Sequence, residues 1–330
     1  MKYLFTCLIL TIMAACQSKE TRTAGTIEKL DPALDAIIDE NARPEIIAEG
    51  YKWSEGPQWL SETKTLIFSD VPTNTIYQWS EGKEASVYLT PSGYTGTVER
   101  GGEMGSNGLT LNREGKLVLC QHGDRRVAIM DAPLNDPKPN FITVSDNFEG
   151  KKLSSPNDVV VRSNGDFFFT DPPYGLPKQA DDPTKETPFN GVYKVSGGIT
   201  TLLVDSLTRP NGIAFLPGEK TFIVANSDPA KAIWYAFDLT ESDSVVNPRI
   251  FYDATENAKK ENGSPDGFRV DKQGNVFASG PGGIWIFNVE GKVLGKIKLS
   301  EPASNCALTD DEKTLFITNN MYVVRVKLRQ

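Results

Sequence analysis

The chain has a single histidine in 330 residues, His122. Any site that needs two imidazoles is thereby excluded. A Ser-His-Asp hydrolase would have to use that one residue, and no GxSxG nucleophile elbow accompanies it. Cysteine is almost as scarce: of the 4 in the chain, Cys7 and Cys16 fall in the first sixteen residues, leaving Cys120 and Cys306 in the body. No metal-type Cys spacing exists. Two buried free thiols are expected, with a disulfide as the alternative in an oxidising compartment. Clusters of Lys or Arg are also missing, and the formal net charge is −8. Such a surface repels phosphate backbones, which excludes nucleic acid as a partner. Finally, no apolar pattern of period 3.6 is sustained, which excludes a helical solenoid.

What is present begins with an export segment. MKYLFTCLILTIMAAC carries Lys2, an apolar run from Tyr3 to Met13 and small residues before Cys16. The run is too short to span a bilayer and reads as a signal peptide. Met13-Ala14-Ala15-Cys16 resembles a bacterial lipobox, which implies cleavage before Cys16 and its acylation. The expected organisation is therefore a lipoprotein signal peptide over 1–15, an acylated Cys16 and flexible tether over 16–43, and one domain over 44–330. Membrane contact would be through that lipid alone, placing an exported protein at a bacterial cell envelope. With 39% hydrophobic and 24% charged residues, the remaining chain has material for a sizeable core.

The body repeats itself. SEGPQWL, SNGLTLN, SPNDVVV, RPNGIAF, SPDGFRV and SNCALTD each join a turn, one small polar residue and a strand pattern. Their polar residues, Glu55, Asn107, Asn157, Asn211, Asp266 and Asn305, are spaced by 52, 50, 54, 55 and 39 residues. Within a unit the strands follow with hairpin punctuation: DVVVRS, Asn164-Gly165, DFFFTD, GVYKVS, Gly197-Gly198, ITTLLVD. Four antiparallel strands at this period mark an all-β, six-bladed β-propeller. A pair of β-sandwich domains is the alternative. The last unit stops at Gln330 after three strands. PEIIAEGY at 44–51 is expected to supply the fourth and close the ring.

In such a ring the six polar residues surround the mouth of the central channel. Beside them stand the ends of the second strands: Asp70, His122, Asp171 with Tyr174, Asn226 with Asp228, Ser279, and Asn319 with Asn320. Glu55, Asn157, Asn211 and Asp266 bring two carboxylates and two amides together, an oxygen-only set suited to one hard divalent cation. Taken singly, each of the four is also an ordinary turn residue. Residues 90–106 and 175–190 are long enough to cover the channel.

The ordered set EGPQW, YTGTVERGGEMGSNGL, CQHGDRRV, SPNDVVV, FTDPPYG, RPNGIAF and SPDGFRV resembles the senescence marker protein / gluconolactonase (regucalcin-like) family, in its bacterial gluconolactonase-like branch. The resemblance covers about residues 45–330. It implies a six-bladed propeller with one axial divalent metal, calcium foremost with zinc or magnesium as alternatives, and hydrolysis of a lactone substrate. By motif, Glu55, Asn211 and Asp266 match metal ligands, and Asn157 matches a position that binds metal or substrate. His122, Asn107, Glu103 and Tyr174 are the expected substrate contacts.

A metal there would act as a Lewis acid on the lactone carbonyl. Asp266, with Asn157 beside it, would form the catalytic centre and activate water; Asp158 or a hydroxide held at the metal is the alternative base. Two other functions stay open on sequence: a metal-dependent phosphotriesterase or paraoxonase-like hydrolase, and a non-catalytic propeller that binds a glycan or a protein.

Overall fold

A computed structural model describes residues 22–329. The signal peptide and Cys16 lie outside the described residues. Six antiparallel sheets follow one another along the chain. Blade one runs outward through Ser54–Leu60, Thr65–Asp70, Thr75–Trp79 and Ser86–Leu89. The innermost strands of blades two to six are Ser106–Leu111, Val159–Val161, Pro210–Phe215, Phe268–Val270 and Asn305–Leu308. Outer strands alternate poorly and face water, whereas the second strands are buried on both faces, as in FFFTD and TLIFSD. Ring closure is as expected: Glu45–Glu49 pairs antiparallel with Tyr322–Lys327 and completes blade six.

The tether expected over 16–43 is overturned in its described part. Gly25–Lys29 adds a fifth, outer strand to blade five, antiparallel to Val293–Leu299. A 3-10 turn over Pro32–Ala36 follows, started by Asp31, whose carboxylate accepts the Ala33 N–H at 2.9 Å. Leu34 and Ile38 are then wholly buried between blades five and six, against Ile286, Ile297 and Ile317. The physical reason is burial without periodicity. Ile27, Leu34, Ile37 and Ile38 serve a strand, a turn and a crossover in succession, so no single period connects them.

Apolar interfaces between adjacent blades form the core. Between blades four and five, the Trp234 ring lies 6.0 Å from Trp285 and 5.3 Å from Phe287. Cys120 and Cys306 are buried free thiols, as expected. Near the axis the strands crowd too closely for side chains. A Cβ on Gly56 would lie 2.1 Å from the Asn107 carbonyl oxygen, and one on Gly212 would lie 2.4 Å from that of Asp266. The glycines that follow the axial polar residues therefore mark close approach of neighbouring blades rather than hairpin turns.

Candidate functional site

Each blade brings its polar residue to the start of its innermost strand, and at several blade junctions the neighbouring backbone is latched there by a hydroxyl. Ser69 donates to the Asn107 carbonyl at 3.0 Å, Thr170 to that of Asn211 at 2.6 Å, and Ser304 to that of Ser54 at 2.6 Å. The ends of the second strands fasten the approach to the axis. Asp70 accepts the N–H groups of Lys52 and Trp53 at 3.1 and 3.0 Å, and Asp171 those of Ser154 and Ser155 at 2.8 and 2.7 Å. Asn226 accepts from Arg209 at 2.8 Å. These side chains hold backbone; they do not line the cavity. Burial drives the Asp171 carboxyl up to about 6 against the pull of its two N–H donors.

A cavity of about 310 Å³ results, lined by Glu55, Asn107, Asn157, Asn211 and Asp266 from the axial set, and by Glu103 and Tyr174 from loops. All four expected metal ligands meet there, together with three of the four expected substrate contacts. Trp53, Ser227, Ser264 and Pro302 also line it. Sequence reasoning missed these four: Trp53, Ser264 and Pro302 lie just before a repeated polar position, where the only signal was the recurrent proline of the approach, and Ser227 lies at a second-strand end between the expected Asn226 and Asp228. Asn305, the sixth axial residue, is turned away: its amide oxygen accepts the Cys306 N–H at 2.8 Å.

Two expectations change. His122 is fully buried and does not line the cavity; its Nδ1 lies 3.5 Å from Glu103 Oε2, so it stands behind Glu103. Asp158 is also withheld. Its oxygens accept the N–H of Val159 at 2.9 Å and of Ile213 at 3.4 Å, with Arg269 Nη1 at 3.9 Å. In SPNDVVV, Asp158 takes the place that glycine holds in the NG and DG units and ties blade three to blade four.

The electrostatics of the cavity are those of a cation site. Burial, then the charges of Asp158 and Glu103, push the Glu55 carboxyl up to about 8, against hydrogen bonds from the Gly56 N–H and the Trp53 side chain. Burial, then the Glu55 charge, holds Asp266 well above the ordinary carboxylate range, against one N–H bond from Gly267. Among the described residues no Lys or Arg forms an ion pair with either group; Arg269 stands by Asp158. Buried like charges without a counter-charge are costly. Asn211 donates its Nδ2 to Ser227 Oγ at 3.0 Å, leaving its Oδ1 for the cavity. Among the described residues no three His, Cys, Asp or Glu side chains stand at metal-binding spacing. A cation held here therefore uses amide oxygens beside two carboxylates, and the donor set fits a hard divalent ion.

A larger cavity, about 760 Å³, opens between blades one and two around Leu60, Leu111 and Leu134. It lies by the turns that join first and second strands, away from the axial mouth, and its acids Glu62, Glu114 and Asp131 are exposed. It brings no buried polar groups to a point.

Fold and site together define a six-bladed propeller with an oxygen-lined pocket on its axis. Residues 53–320 match the family model described as the SMP-30/Gluconolactonase/LRE-like region, and the chain belongs to that family. It is 38% identical over 327 residues to a gluconolactonase of Zymomonas mobilis, covering 96% of this chain and 90% of the other. Among solved structures it is similar to a gluconolactonase from Xanthomonas campestris, at TM-score 0.79 and 28% identity, covering 93% of this chain and 97% of that one. A calcium-binding protein, regucalcin, from Agrobacterium tumefaciens shares the fold at TM-score 0.65 and 15% identity, covering 86% and 94%.

Proposed function

We propose that this protein hydrolyses a sugar lactone of the aldonolactone type in the axial cavity, with a divalent cation, calcium foremost, held by Glu55, Asn157, Asn211 and Asp266. The observation that carries this reading is the pair of carboxylates, the buried Glu55 and the half-buried Asp266, which face one pocket and form no ion pair with a cationic side chain among the described residues. The similarity to two gluconolactonases over nearly the whole chain supports the choice of substrate. A divalent cation held there supplies polarisation of the lactone carbonyl and charge for the tetrahedral oxyanion.

The protein's own groups do the rest. Asn107 and Tyr174 offer an amide and a phenol to substrate hydroxyls, and burial followed by the Asp266 charge keeps the Tyr174 hydroxyl protonated. Trp53 supplies an aromatic wall for the C–H face of the sugar. The cavity is small enough to exclude most water from a bound lactone.

The test is proton release from D-glucono-1,5-lactone in a pH-stat, with metal-stripped protein, cations added back and spontaneous hydrolysis subtracted. Cation-dependent turnover abolished by Asp266→Asn supports the reading. Folded protein that turns over no lactone with any cation refutes it. We further propose export and lipid anchoring at Cys16, supported by the lipobox-like Met13–Cys16. Mass spectrometry of the mature N-terminus would find a diacylglyceryl cysteine, absent in Cys16→Ser; an unmodified Cys16 contradicts the anchor.

A further inference from the structure

His122 is the chain's single histidine and is fully buried, yet neither ring nitrogen has a hydrogen-bond partner among the described residues. Buried polar groups are almost always paired, so an imidazole held in this way calls for an explanation. The acid it faces is Glu103, whose Oε2 lies 3.5 Å from Nδ1. That is just beyond a formed hydrogen bond and within reach of one after a small rotation. Glu103 also reaches the axial cavity.

Glu103 is held differently from the other two carboxylates there. Glu55 and Asp266 sit on the innermost strands' approach, each fixed by the N–H of the following glycine. Glu103 belongs to the 90–106 loop, its side chain is 37% exposed, and no N–H among the described residues fixes it. The backbone around it is nonetheless pinned. His122 donates its N–H to the Gly105 carbonyl at 3.2 Å, Gly123 to that of Met104 at 3.2 Å, and Gly105 to that of Val71 at 2.8 Å. Arg100 ties the same loop to the carbonyls of Gly123 and Gly175. A fixed main chain therefore carries a carboxylate free to turn between the imidazole and the pocket.

We propose that Glu103 is the general base of the lactone hydrolysis and that His122 is the positioning residue that aims it. The proposal rests on the lactonase reading above. Carboxylates committed to a cation are poor proton acceptors, and Asp158 is sealed off by its backbone donors, which leaves Glu103 as the uncommitted carboxylate of the cavity. As the water oxygen bonds to the lactone carbonyl carbon, a water proton passes to the Glu103 carboxylate. The ring C–O bond then breaks, and Glu103 returns that proton to the departing alkoxide. The product is the open-chain hydroxy acid, and Glu103 is regenerated. The His122 Nδ1–H, donated to Oε2, leaves Oε1 to face the water.

The experiment measures kcat and KM on D-glucono-1,5-lactone with calcium-loaded full-length protein, alongside calcium binding by calorimetry. Glu103→Gln preserves shape and is expected to lower kcat about 10²- to 10⁴-fold, with calcium binding unchanged. His122→Leu is expected to lower kcat about 10- to 100-fold through misplacement, and His122→Gln, which keeps an N–H donor, to recover most of it. In a Glu103→Gln background, His122→Leu adds no further loss. Turnover of Glu103→Gln within threefold of wild type, or its loss of calcium binding, would overturn the assignment while leaving the lactonase reading intact. Full additivity of the His122 and Glu103 losses would reduce His122 to a packing residue. Wild-type protein without turnover would sink the reading and this proposal with it.

Discussion

The blade interfaces and the axial mouth are equally buried and oppositely built. Between blades four and five, Trp234 packs edge to face on Phe287 and tilted on Trp285, and the one charge beside them, Lys296, lies over the Trp285 ring at 3.6 Å. At the mouth, Glu55, Asn107 and Asn157 are as deeply buried, and two of the facing groups are acids that resist ionisation. The difference shows where stability resides. Apolar interfaces hold the ring together, and the rigid ring then keeps together polar groups that would otherwise separate or take up water.

The largest effect should come from attacking the mouth alone. Asp266→Asn or Glu55→Gln is expected to lower kcat/KM at least about 10²- to 10³-fold. Neither should lower the melting temperature of cation-free protein, because each relieves repulsion between the two axial acids. A variant that loses activity by unfolding would break the comparison.

The interfaces should respond in the opposite sense. Trp234→Ala is expected to cost about 3–5 kcal/mol in urea unfolding, and Leu34→Ala in the N-terminal strap about 2–5 kcal/mol. At temperatures where these variants remain folded, kcat should stay near wild type. Loss of calcium affinity without loss of stability would show that the strap acts on the site.

A pH series sharpens the contrast. Glu55 binds its proton up to about 8 in the folded chain, above its ordinary 4.5, so cation-free folded protein holds more protons than unfolded protein across that window. Its stability therefore falls as pH rises from about 5 to 8. Calcium held as proposed would compensate the ionised pair, and the loaded protein's melting temperature should not show that decline. Differential scanning fluorimetry with and without calcium reads both curves; parallel curves would contradict the assignment. The smallest effect is reserved for the outer wall, where Ile199, 71% exposed, should tolerate Ile199→Thr within about 0.5 kcal/mol.

How much of this was legible in the sequence depends on whether a residue's role repeats. The polar residue before each innermost strand recurs at nearly even spacing, so the ring, its closure by PEIIAEGY and the convergence of Glu55, Asn157, Asn211 and Asp266 could be read directly. The strap could not, since Gly25–Lys29 and the buried Leu34 and Ile38 occur once and serve three different environments. His122 was placed at the right strand end but as a substrate contact, and its position behind Glu103 could not be read, because a 3.5 Å contact between a loop and a strand has no sequence spacing. The reason for the glycine after Asn211 could not be read either: it answers to the Asp266 carbonyl 2.4 Å from where its Cβ would be, which no local pattern records.

Calcium titration of metal-stripped protein by calorimetry, with Glu55→Gln/Asp266→Asn measured beside it, tests the central claim most directly. The account predicts one site in the wild type, tighter at pH 8 than at pH 5, and none in the double variant. Equal binding in both proteins would place the cation elsewhere and leave the two acids of the axis without the role assigned to them.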